Sequence, residues 1–126
     1  MKYFASSEDA IVWGQEQAWL SVSEKKMIME QLKKQSLLRN SQAVTLARAA
    51  ANLGNAERKE TLLNLEMEMA CQGQLVREAL GGMISEMITL GDVEGLTLEE
   101  LELGNMMRAQ IDKGLVKLPA KWGGKK

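Results

Sequence analysis

Apolar and polar positions recur along most of this chain with a helical period, not with the alternation of a strand. The clearest stretch is LGGMISEMITLG, residues 80–91, with the residues just before it. Val76, Ala79, Leu80, Met83, Ile84, Met87 and Ile88 stand three or four apart, while Arg77, Glu78, Ser85 and Glu86 fall on the other side. That spacing predicts one apolar stripe along an amphipathic helix. Gly81 and Gly82 each cost about 1 kcal/mol in an exposed helix relative to Ala. They fit a helix that another helix approaches closely, as Ala43, Ala47, Ala50 and Ala51 also allow. The stripe is therefore read as core or as a subunit interface, and Val76, Leu80, Met83, Ile84, Met87 and Ile88 form the candidate interaction surface.

Capping residues divide the rest. Ser6 or Ser7 caps a first helix, running to about Leu20, with Asp9 placed as in a capping box after Ser6. Ser23 caps a second, to about Leu38, and Ser41 a third, ending at Leu53-Gly54 with glycine at the left-handed position past a helix end. Asn55 caps the next helix, with Glu57 in its first turn. From Ala56 to Leu90 the pattern allows one long helix, with Leu62, Leu65, Met69, Val76, Leu80, Met83 and Met87 on one side. Helices of that length are uncommon in small domains, so two helices meeting near Gly73 are favoured. In LTLEEL, Thr97 and Glu100 form a capping box and Leu96 and Leu101 occupy the staple positions. This last helix runs to about Lys113, with Gly114 as its stop.

Composition agrees with the pattern. Leu, Met, Ala, Glu, Lys and Gln abound, aromatic residues make up 4%, and the one proline is Pro119. The expected fold is all-α: a bundle of five or six helices, or a shorter bundle built around one long helix or helical hairpin over residues 56–90. Residues 1–114 are read as a single helical domain and 115–126, LVKLPAKWGGKK, as a basic, flexible C-terminal tail. No apolar run approaches the ~20 residues that span a bilayer. Cys71 is the single cysteine, so no internal disulfide forms, and the N-terminus lacks a signal-peptide pattern. A cytoplasmic location is expected.

The charge distribution adds a partner class. The net charge of −1 divides into −2 over residues 1–23, +4 over 24–60, −8 over 61–112 and +5 over 113–126. Such a chain can pair its halves internally or across subunits. The basic 24–60 region and the tail also offer phosphate contacts, with Lys113, Lys117, Lys121, Lys125 and Lys126 as cations and Trp122 as a stacking ring.

Catalytic chemistry finds little support. The chain has no histidine, which removes the usual general base and zinc ligand. Asp92 and Glu94 lie in a loop whose position for the bidentate calcium glutamate is Leu103. Cys71 has no thiolate-stabilising partner near it in sequence. The stretch RAAANLGNAERKETL has the outline of a helix-turn-helix, but Gly54 to Thr61 is too long a spacing, and Glu57, Glu60, Glu66 and Glu68 would face phosphates. A helical hairpin explains it. The chain is thus expected to be a non-enzymatic helical module for protein–protein interaction or self-assembly, with no cofactor or metal. The second reading is an accessory nucleic-acid-binding protein.

Overall fold

The structure, a computed structural model, describes residues 3–114. Among these residues the chain is all helical, with four helices and no strand. They are α1 (Ser7–Gln17), α2 (Val22–Ala51), α3 (Ala56–Leu90) and α4 (Leu98–Asp112). The fold is organised on α3, against which each of the other three packs.

The helix starts follow side-chain capping. Ser6, Ser21, Asn55 and Thr97 each accept from a backbone N–H three residues on. Thr97 and Glu100 form the full capping box. The α3 end is closed by Gly91 in the left-handed conformation, with Asp92 N–H donating to the Met87 carbonyl at 2.8 Å.

Two of the expected breaks are absent, which is why four helices replace the five or six expected. Ser41 starts no new helix: α2 runs through Leu38–Asn40–Ser41 without interruption. Residues 22–51 contain no Gly or Pro, and Asn or Ser inside a helix costs only a few tenths of a kcal/mol. Burial of Arg39 and Ala43 on either side offsets that. Gly73 does not end a helix either. A Cβ built on it would lie 2.6 Å from the Asn40 side-chain oxygen. The glycine marks where α2 and α3 approach closely, and α3 passes through it as one helix of 35 residues.

Together α2 and α3 form an antiparallel hairpin with a heptad seam. On α2, Met29, Leu32, Ser36, Arg39, Ala43, Leu46 and Ala50 are spaced alternately by three and four. On α3 the series is Leu62, Glu66, Met69, Gly73, Val76, Leu80, Met83 and Met87. Every one of these positions is buried or half-buried, as the two facing rows of a coiled coil require.

The core lies at one end of this hairpin. Val76, Ala79, Met83 and Ile84 are inaccessible to solvent, and Ala10, Ala18, Met29, Leu32, Leu75, Leu80 and Met87 pack with them. Small residues bring the helices together. A Cβ on Gly14 would collide with the Ala79 carbonyl, and one on Gly82 with the Ile11 carbonyl. Gly104 sits against Ile84 and Ile88 in the same way. Ion pairs and hydrogen bonds then fasten the elements: Lys25 with Asp92, Lys33 Nζ with Glu100 at 2.9 Å, and Trp19 Nε1 with Glu86 at 2.9 Å.

No described helix is long and apolar enough to cross a membrane.

Candidate functional site

The candidate interaction stripe is consumed inside the chain. Val76, Leu80, Met83, Ile84 and Met87 are buried and Ile88 is half-buried, under cover from α1, α2 and α4. None presents a free face. Of the candidate phosphate contacts, Lys113 caps the end of α4 and is exposed. Lys117, Lys121, Trp122, Lys125 and Lys126 lie outside the described residues.

The surface that is left unpartnered lies elsewhere. The hairpin outruns its companions. No α3 residue between Ala56 and Gln72 is buried, whereas burial sets in from Gly73 onward. The part of α2 beyond Asn40 and the part of α3 before Gly73 therefore form a two-helix arm. Its α3 side, residues 56–72, is about 26 Å long and its α2 side, residues 41–51, about 16 Å, at 1.5 Å per residue. Its seam is thin: Ala43, Leu46 and Ala50 face Leu62, Glu66 and Met69. Off the seam it carries apolar side chains that nothing covers. Val44 is 50% exposed, Leu65 41% and Met67 67%, and Leu63 is exposed as well; Leu37 and Leu38 are exposed on the body side of Asn40.

Along one side of the arm runs a groove of about 360 Å³, lined by Ser41, Gln42, Thr45, Leu46, Leu65 and Met69. The Gln42 side-chain oxygen is buried there without a hydrogen-bond partner among the described residues. Nearer the body the backbone of Phe4 is held by the Gln72 amide, which accepts from Phe4 N–H at 3.1 Å and donates to Phe4 C=O at 3.0 Å. The Phe4 ring packs on Trp13 with centroids 5.5 Å apart. Beside it the guanidinium of buried Arg39 lies 4.5 Å from the centre of the Tyr3 ring, a cation–π arrangement. This latch fastens the N-terminal segment across the base of the arm.

The basic region 24–60 is partly spent in the fold. Lys25 pairs with Asp92, Lys33 with Glu30 and Glu100, and Arg39 with the Tyr3 ring. Lys26, Lys34, Arg48, Arg58 and Lys59 stay exposed, scattered along both helices. At the foot of α4, burial pushes the Glu100 carboxyl up, but hydrogen bonds and charge from Lys33 and the Thr97 capping contacts outweigh it and hold its pKa below the ordinary value. The same ion pair holds Lys33 above its ordinary value.

Three further clefts carry mixed charge. One, of about 320 Å³, is floored by Met29, Met87 and Leu96 and rimmed by Lys25, Lys26, Glu30 and Asp92. Among the described residues no three His, Cys, Asp or Glu side chains converge as a metal site would require. Cys71 is exposed near the base of the arm.

Sequence reasoning missed the arm, although a signal for it exists. Once α2 is read as one helix, the heptad series leaves Leu37, Leu38 and Val44 off the seam, and Leu63, Leu65 and Met67 flank its α3 counterpart. No protein-family model matches the chain, and neither a curated protein nor a solved structure is significantly similar to it.

Proposed function

We propose that this chain is a helical docking module that works without catalysis, through the α2–α3 arm. The observation that carries the reading is the contrast along α3: every buried residue lies from Gly73 onward, and the arm exposes Val44, Leu63, Leu65 and Met67. A hairpin needs only its seam to form. Apolar surface left exposed outside the seam favours burial in a complex, at about 25 cal/mol per Å². The low seam content of the arm points the same way, because a partner helix or surface would complete its core.

The nucleic-acid reading has weaker support. Three of the eight basic residues in 24–60 are engaged within the fold, and the exposed ones share the arm with Glu57, Glu60 and Glu68. A phosphate-binding face would instead cluster its cations.

The test is photo-crosslinking in living cells with the full chain. A photoreactive residue placed at Leu65 or Val44 is expected to give protein adducts, whereas one at the exposed α4 residue Gln110 is not. Absence of adducts from both arm positions overturns the docking reading. Adducts with nucleic acid in place of protein would favour the second reading.

A further inference from the structure

We infer that the cleft between α3 and α4 is a docking site for the chain's own basic segment, residues 115–126. The inference goes beyond the docking reading and does not depend on it.

The first argument is the cleft itself. It has a volume of about 280 Å³. Along α4, Glu99, Glu102, Met106 and Gln110 stand three or four apart and share one side of the helix. Arg77 and Glu78 of α3 lie across from them. Met106 is 63% exposed. One Glu78 carboxylate oxygen is buried without a hydrogen-bond partner among the described residues. Buried polar atoms in folded chains are as a rule hydrogen-bonded, so this oxygen calls for a donor. Three carboxylates against one guanidinium leave the cleft with a charge of −2. Arg108, the other base within α4, stands on the opposite side of that helix and does not neutralise it.

The second argument is where the chain leaves the fold. α4 ends at Asp112, and Gly114 takes the left-handed conformation with φ 75°, its N–H donating to the Ile111 carbonyl at 3.0 Å. A left-handed stop turns the chain off the helix axis. Gln110, about one turn earlier, lines the cleft, so the segment that follows Gly114 starts beside one end of it. From Gly114 back to Glu99 is about 22 Å along α4, at 1.5 Å per residue. Residues 115–126 reach up to about 40 Å when extended, so the segment spans the cleft with length to spare. Run back along α4 in that form, it brings Leu118 level with Met106 and Lys121 level with Glu99 and Glu102.

The third argument is charge. Residues 115–126 hold four lysines and no acid. Their ammonium groups are donors only, which suits a cleft whose excess is carboxylate. Glu78, Glu99 and Glu102 form no ion pair among the described residues, whereas Asp92 and Glu100 are already paired with Lys25 and Lys33 of α2. A docked segment engages Lys117 and Lys121 inside the chain, so that neither is a phosphate contact while it is bound.

Nuclear magnetic resonance of the full chain tests this. The backbone {1H}–15N NOE separates amides held on the ps–ns scale from those of a free chain. The amides from Val116 to Lys121 are expected to give values close to those of α4 at low salt, and to fall toward free-chain values as salt rises. Lys121→Glu and Glu102→Lys are each expected to lose the held values, and the chain carrying both to regain them. Because a substitution on α4 can loosen that helix, K117E/K121E works from the segment alone and is expected to release it with the helical circular dichroism unchanged. Free-chain values in the wild type at low salt overturn the inference. So do held values that are indifferent to K117E/K121E, or a charge exchange between Glu102 and Lys121 that does not recover them.

Discussion

At the scale of single residues, two glycines that look alike in sequence have opposite roles. Gly14 meets the backbone of α3, where a Cβ would fall on the Ala79 carbonyl, and no side-chain rotation can relieve that. Gly73 meets only the end of the Asn40 side chain, which can swing away. Gly14→Ala is therefore expected to destabilise the chain by about 1–3 kcal/mol through overpacking. Gly73→Ala should change stability by less than about 1 kcal/mol, because the gain in helix propensity offsets the displaced Asn40. Urea unfolding of the two variants compares them directly, and equal losses would remove the distinction. Gln42 presents a different case. Its buried oxygen has no donor among the described residues, and a buried acceptor left unsatisfied costs about 1–3 kcal/mol. Gln42→Leu is expected to raise stability by about 1 kcal/mol, seen as a melting temperature higher by a few degrees. A lower melting temperature would mean that the oxygen is satisfied in solution.

At the scale of elements, some caps were legible in the sequence and breaks were not. Ser6, Asn55, Thr97 and Glu100 act locally, through hydrogen bonds set within a few residues, whereas Ser23 and Ser41, read as caps, lie inside α2, which Ser21 caps. The continuity of α2 through Asn40 and Ser41, and of α3 through Gly73, is decided between helices, by the approach that places Asn40 opposite Gly73. A single chain position carries no sign of that. The same holds for Glu100. Sequence shows a capping glutamate at the start of α4, and the structure adds that its other oxygen reaches Lys33 on α2. This joint carries a pH signature. The folded-state pKa of Glu100 lies below its unfolded value, so its contribution is present above the unfolded value, near 4.3, and is lost as pH falls through the folded one. Lys33 is raised, so its contribution is present below the unfolded value and fades only as pH climbs past the folded one. Melting temperature measured from about pH 7 down to about pH 3, the range in which carboxylates titrate, is expected to fall less steeply for Glu100→Gln than for the wild type. Parallel curves would show that the joint does not contribute.

At the scale of the whole molecule, the fold separates a body that holds itself together from an arm that does not need to. The body contains the inaccessible residues: Ile11, Val76, Ala79, Met83 and Ile84. The arm contains a narrow Ala-rich seam and exposed apolar flanks. Sequence periodicity left the densest apolar stripe, Val76 to Ile88, open as core or subunit interface, and α1, α2 and α4 cover it as core. Interaction surfaces on a helical protein are apolar positions left over after the core is satisfied, and which positions are left over depends on where the neighbouring helices end. If body and arm are separable, the body should fold without the arm. The level pairing of α2 with α3 places Ala43 close to Met69 across the seam, so residues 44–68 can be replaced by a short Gly/Asn turn joining those two. The shortened chain is expected to unfold cooperatively, with a melting temperature within several degrees of the wild type. Its urea dependence should be shallower, in proportion to the surface no longer exposed on unfolding. A shortened chain that keeps helical circular dichroism but loses cooperative melting would show that the seam beyond Asn40 holds the body in register. The arm would then be part of the folding unit and not an appendage to it.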